Sequence, residues 1–293
     1  MAHTQAPSTV TARDPKGLKF ISIIEAAYNK AGLSDEEAQR VNETPGLVDL
    51  VAGFITKNRT GRFANEEVAS NYGYPSGYRV KGVTEHANIL RQYFPGVGSA
   101  DEKLAEQPLP EGAEGYFAIP RWETIAPTYG EAVEKVFAVL AKQRNGRFSN
   151  YCKGKLSDQY LRQTEEEEAA FQTLGDAQQG YDILVVPAQS GLRHRGRSVR
   201  RAREVMNLNE FGLGAFAVGI VLLTHPERLV DYNNLWIDCA GDEYSPDGDG
   251  RFFYAPSFLF YDGTLGFVAL WFGRAYDGYG SASGFLPAVA VGA

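Results

Sequence analysis

The stretch ILVVPAQSGLRHRGRSVRRAREV, residues 183–205, decides the fold class of this chain. It opens on an unbroken apolar run of the kind that forms a strand buried on both faces. It turns at Ser190-Gly191, then becomes a charged segment that Ser198 is placed to cap as a helix. Working upstream, a strand is predicted at Tyr116–Ile119, a helix over 129–143, and an acidic helix near 157–175. Downstream come a 13-residue apolar run from Phe211 to Leu223, a strand at Leu235–Ile237, and an acidic loop. Two further strands, Ser257–Tyr261 and Thr264–Phe272, flank Asp262-Gly263, the dipeptide that most favours a two-residue hairpin turn.

The N-terminal part reads as helical. Apolar periodicity covers residues 17–31, Ser34 and Glu37 have capping-box spacing, and a helix over Thr84–Tyr93 must stop before Pro95. The predicted class is therefore α+β, with a helical N-terminal region, a mixed β-sheet with helices in the C-terminal part, and a closing β-hairpin. The polar, proline-bearing residues 104–115 (LAEQPLPEGAEG) mark the expected boundary. The expected organisation is a flexible arm over 1–18, a mostly helical region over 19–110, and an α/β domain over 111–293.

Composition narrows the function classes. A net charge of -7 argues against coating nucleic acid through the overall field, although a local basic face can still grip phosphate. Only Cys152 and Cys239 are present, which fits neither a disulfide scaffold nor a zinc ribbon. The first eighteen residues lack the apolar core of a secretory signal, and the longest apolar run is shorter than the roughly 18–20 residues of a membrane span. A cytoplasmic protein without a membrane partner is expected.

An internal echo links KNRTGRFAN (57–65) to KQRNGRFSN (142–150). Upstream, Val48, Val51, Ala52 and Ile55 match Val133, Val136, Phe137 and Leu140 at helical spacing, which predicts two equivalent amphipathic helices. Either Gly61 and Gly146 are shared helix caps, or the echo is an internal duplication that sets Arg62 and Arg147 in equivalent places.

The arginines carry the strongest chemical signal. Six lie between Arg193 and Arg203: Arg193, Arg195 and Arg197 in the loop around His194, and Arg200, Arg201 and Arg203 in the helix. Forked guanidinium donors near a helix start suit phosphate oxygens, so Arg193, Arg195, Arg197, Ser198, Arg200 and Arg201 are the expected ligand-binding residues. Nucleic acid or a phosphorylated small molecule would be the ligand. Alternatively, Glu165 to Glu168 neutralise these arginines internally, as in a structural assembly subunit.

A second constellation is DCAGDEYSPDGDG, residues 238–250. Asp238, Asp242, Asp247 and Asp249 could hold Mg²⁺ or Ca²⁺, although the spacing departs from an EF-hand. With Asp238, Asp242 and Glu243 as catalytic candidates, the alternative function is a divalent-metal-dependent phosphoester hydrolase or phosphotransferase. That reading expects the strands ending at Asp238 and at the arginine loop to be neighbours in a parallel sheet. Gly212-Leu-Gly214-Ala-Phe-Ala217 fits GxGxxA, but no strand is predicted before it, so tight packing is the expected role. His86, His194 and His225 show no metal-ligand spacing.

Several stretches, among them IPRWETIAPTYGEAVEKV, DILVVPAQSGLRHRGRSVRRAREV, NEFGLGAFAVG, LLTHPERL, LWIDCAGDEYSP and YGSASGFLP, resemble an uncharacterised family of hypothetical bacterial proteins. The resemblance covers most of residues 74–287. It implies no activity, cofactor or site.

Overall fold

The computed structural model describes residues 11–57 and 61–287, and these carry eight α-helices and eleven strands in two sheets, an α+β protein. The chain divides between residues 56 and 57 into two compact units. In the first, α1 (Pro15–Ala31), α2 (Asp35–Asn42) and α3 (Leu47–Lys57) are short amphipathic helices. Pro15 sits in the first turn of α1, where a missing N–H costs nothing, so the helix takes in residues 15–18 of the expected arm. Residues 1–10 lie outside the described part. The Ser34 capping box forms as predicted: Ser34 Oγ accepts from the Glu37 amide at 3.3 Å, and Glu37 returns a bond to the Ser34 amide at 2.7 Å. No residue of α1 or α2 is buried, and Leu18, Ile21, Ile24 and Val48 stay exposed. So few residues cannot enclose a core.

The second unit holds the core. Helix α4 (Val83–Tyr93) lies against β1 (Gly115–Pro120) and places Ala87 and Leu90 in the main apolar cluster. Ala100 also bridges Ile183. The compositional break at 104–115 is therefore a surface connection within this unit and not a division of the chain. Helix α5 (Tyr129–Gln143) is capped by Thr128 and buries Val133, Val136, Phe137 and Leu140.

Next come β2 (Phe148–Asn150), β3 (Leu161–Gln163) and α6 (Glu165–Ala177). The acidic helix thus starts later than its composition suggests. Thr164 Oγ1 accepts from the Glu167 amide at 3.2 Å, and this cap fixes the start. After β4 (Ile183–Gln189), buried at every position, follow α7 (Val199–Val205) with Ser198 as its cap, β5 (Glu210–Gly212) and α8 (Ala215–Thr224). Every residue of α8 is buried, which explains the 13-residue apolar run.

The chain then forms β6 (Trp236–Asp238), β7 (Asp242–Tyr244), β8 (Tyr254–Tyr261), β9 (Thr264–Trp271), β10 (Tyr279–Ser281) and β11 (Ser283–Phe285). The smaller sheet is antiparallel in the order β1-β4-β11-β5. In the larger one, β8 pairs β9 along one edge and β6 and β7 along the other; β10 joins β6 and β2 joins β9 in parallel. The closing hairpin turns at Asp262 (φ 48°) and Gly263 (φ 69°), both left-handed as its turn demands.

Two expectations change here. Strands β4 and β6 belong to different sheets, so Asp238 and the arginine loop do not end neighbouring parallel strands. The echo likewise parts company in three dimensions: Val133, Val136 and Leu140 are core, whereas Val48, Val51 and Ile55 are exposed. Gly146 (φ 81°) follows the end of α5 and leads into β2, while residues 62–65 form turns. Residues 58–60 lie outside the described part. Among the described residues, no helix is long and apolar enough to cross a membrane.

Candidate functional site

The arginine segment is a network of internal bonds. Arg200 forks onto Glu66, whose carboxylate also takes a 2.6 Å bond from Ser198 Oγ. Arg201 reaches Glu67 at 2.6 Å and Glu204 at 2.9 Å, Arg197 lies 3.4 Å from Glu67, and Arg193 meets Glu210 at 3.2 Å. Arg203 donates to the carbonyls of Ala240 and Asp242, each at 2.8 Å. The expected partners Glu165 to Glu168 are not the ones used. Glu66 and Glu67 come from a segment whose polar composition gave no hint of them, and Glu210 from β5. Arg200 and its neighbours hold Glu66 and Glu67 below the usual carboxylate range. Burial alone would raise Glu210, but His194 at 2.7 Å and Ser283 outweigh it and bring it down to about 2.

The acidic loop is dispersed. Asp238 is buried and accepts from Ser257 Oγ at 2.6 Å; Glu243 pairs with Arg162 at 2.7 Å; Asp249 pairs with Arg251 at 2.6 Å; Asp247 is exposed. Among the described residues, no group of three or more His, Cys, Asp and Glu side chains is placed to hold a metal ion. As a Mg²⁺ or Ca²⁺ site, the set Asp238, Asp242, Asp247 and Asp249 therefore lacks convergent oxygens.

Asp242 has a different partner, and it lies in the interior of the second unit. Antiparallel pairing of β3 with β7 sets Gln163 opposite Asp242, and α6 begins two residues later. Its cap places Glu167 on the inward side, where Glu167 is 1% exposed and Asp242 is fully buried. The Glu167 and Asp242 carboxyls lie side by side next to Gly214, close enough to influence each other's ionisation. The N-termini of α5, α6 and α8 converge on the pair. Gly214 N donates to Glu167 Oε1 at 2.5 Å, Ala215 N to Asp242 Oδ2 at 2.6 Å, and Tyr129 Oη to Asp242 Oδ1 at 2.8 Å. Tyr129 Oη in turn accepts from Phe216 N at 3.3 Å, and Gln163 Nε2 donates to Glu167 Oε2 at 3.1 Å.

Burial, then the neighbouring carboxyl, pushes Glu167 well above the usual carboxylate range, and burial raises Asp242 as well. Two buried carboxyls side by side make each other's ionisation harder. Against this, the amides of Gly214 and Ala215 at the start of α8 donate to the pair and favour its charged form. Gly214 is required by the same geometry: a Cβ there would overlap Asp242 Oδ1 and lie 2.6 Å from both Glu167 Oε2 and Tyr129 Oη. The GxGxxA match thus reflects close packing, as expected, although a short strand, β5, does precede it.

One member of the pair, Glu167, borders a cavity. A cavity of about 210 Å³ is lined by Tyr129, Gln163 and Glu167, with Trp122, Phe171 and Phe216 as apolar walls. For scale, an apolar cavity of about 150 Å³ admits benzene. Sequence reasoning missed Glu167, hidden in a four-glutamate run that reads as solvent-facing, and missed Tyr129. The available signal was the Thr164-x-x-Glu167 spacing, half of a capping box, which marks the one glutamate of the run held at a helix start. Comparison with family models, curated proteins and solved structures returns no match for this chain.

Proposed function

We propose that the protein binds a ring-sized, uncharged organic molecule against Trp122, Phe171 and Phe216 and performs general acid–base chemistry on it through the Glu167–Asp242 pair. One observation carries this reading: two buried carboxyls, held by the amides of Gly214 and Ala215, one of which lines a cavity. Such a pair offers an acid and a base at the same place, so proton delivery to a leaving oxygen and proton removal from a nucleophile need no metal ion. Tyr129 positions Asp242, and Gln163 positions Glu167.

The test is covalent capture with phenyl glycidyl ether, a neutral epoxide of fitting size. A carboxylate oxygen of the pair attacks the terminal epoxide carbon, the C–O bond opens, and the partner carboxylic acid protonates the alkoxide, leaving a hydroxy ester. The expected result is one adduct, mapped by peptide mass spectrometry to Glu167 or Asp242 and absent from Glu167→Gln and Asp242→Asn. Labelling confined to exposed carboxylates such as Glu165, or unchanged in both variants, would overturn the reading.

A second reading keeps the arginine segment as a phosphate grip and rests on its two least-committed members. Arg195 is exposed and the one hydrogen bond of its side chain among the described residues runs from Nη1 to the Tyr72 carbonyl at 2.8 Å, while Arg193 binds Glu210 through Nε. A nucleic acid or phosphorylated ligand engaging Arg197, Arg200 or Arg201 would have to displace Glu66, Glu67 or Glu204. Anisotropy of labelled single-stranded RNA tests it. Binding that weakens with salt and is lost in Arg193→Glu, Arg195→Glu supports the grip; no salt-sensitive binding removes it.

A further inference from the structure

Residues from three separate segments form an aromatic box on the second unit, away from the acid pair. Its lining is Tyr72, Tyr232, Trp236, Tyr276 and Tyr279 with Asp277, around a cavity of about 230 Å³. The backbone holds the box together. Parallel pairing of β10 with β6 sets Tyr279 directly beside Trp236; Trp236 N donates to Gly278 O at 2.9 Å, and Leu235 N donates to Gly73 O at 2.8 Å. Ser70 Oγ donates to Asp277 O at 2.5 Å, which ties the Tyr72 segment to the same place.

The rings stand as walls and not as a stack. Trp236 and Tyr279 meet at 4.9 Å and 82°, Trp236 and Tyr232 at 5.4 Å and 86°, and Tyr276 and Tyr279 at 5.2 Å and 42°. Five aromatic rings thus border one cavity, a lining whose π systems favour a cation over an anion. Asp277 is the only charged side chain of the lining. Two cations lie nearby but outside it: Arg195 bonds the Tyr72 carbonyl, and Arg274 sits over Tyr276 at 4.9 Å.

We infer that this box is a binding site for a small quaternary ammonium compound of the choline type, held by cation–π contact and by Asp277. A flat sugar would prefer one open aromatic platform, and a phosphate would meet the Asp277 carboxylate with no cationic side chain in the lining. An ammonium with attached methyl groups is weakly hydrated and fills a box of this shape, so it loses little solvation on entry.

The experiment is an NMR titration of the full chain with choline and, in parallel, with 3,3-dimethylbutan-1-ol, its uncharged isostere. Choline is expected to bind about tenfold or more tighter than the alcohol, as a desolvated cation–π site implies. Tyr232 is 50% exposed, so Tyr232→Ala should leave the fold intact while weakening choline about tenfold. Asp277→Asn should weaken choline and leave the alcohol unchanged. Equal binding of both compounds would overturn the inference in favour of a merely apolar pocket. So would the absence of choline-induced shifts at tens of millimolar, or choline binding unaffected by both variants.

Discussion

Gly212→Ala is expected to destabilise the second unit by about 4 kcal/mol or more, the tail of the range for single substitutions. A Cβ at residue 212 would overlap the carbonyl group of Ala240 and lie 2.6 Å from the Gly241 amide nitrogen, so the obstacle is backbone and cannot swing aside. That backbone is also committed. Gly241 N donates to Leu213 O at 3.0 Å, Thr164 N donates to Gly241 O at 2.7 Å, and Asp242 follows directly into the acid pair. Moving the 240–241 turn would therefore disturb β5, the cap of α6 and the start of β7 together. Gly273→Ala is the control. Its Cβ would meet the Arg200 guanidinium at 2.8 Å, the far end of a long side chain, and about 1 kcal/mol is expected. Urea denaturation of both variants measures the difference; a Gly212→Ala midpoint close to wild type would show that the turn can relax.

Asp238→Asn is expected to make the protein more stable than wild type at pH 8 and to change little at pH 4. Burial raises the Asp238 carboxyl to about 7, against the Ser257 bond that favours its ionised form. A group whose folded value lies above its unfolded value of about 4 contributes stability that is complete below that unfolded value. Between about pH 4 and pH 7 the unfolded chain has already released the proton while the folded chain still holds it, so the contribution declines as pH rises. Above about 7 it is gone. The loss is on the order of 3–4 kcal/mol, and a neutral amide at this position does not incur it. Denaturant unfolding at several pH values should show the stability gap between variant and wild type opening across pH 4–7 and then holding constant. A gap independent of pH would mean that Asp238 titrates alike in both states.

Much of the secondary structure followed from local chemistry. The Ser34 capping box, the Ser198 cap and the Asp262-Gly263 hairpin turn each depend on residues within four positions of one another, and all formed as predicted. The acidic helix went astray for a local reason as well: four glutamates promote helix over a broad window, whereas the boundary was set by a single hydroxyl, that of Thr164.

The sites were legible only in part. Asp242 stood out because it lies in an acid-rich loop, and the arginines because they are clustered, but neither cluster announces its partners. Glu66 and Glu67 reach Arg200 and Arg201 from more than a hundred residues away, and Glu167 reaches Asp242 across the β3–β7 pair. The five rings of the aromatic box are scattered between Tyr72 and Tyr279, with no spacing to mark them.

By itself the sequence determined the class of fold, the positions of most helices and of the longer strands, and the residues with strong charge. Those properties arise from short-range propensity, capping and apolar periodicity. Only the tertiary structure decided which charges neutralise each other, which carboxyls lie side by side, and which rings border a common cavity. Coulomb and desolvation energies depend on distance and burial, and these are set by how the sheets and helix ends come together and not by order along the chain.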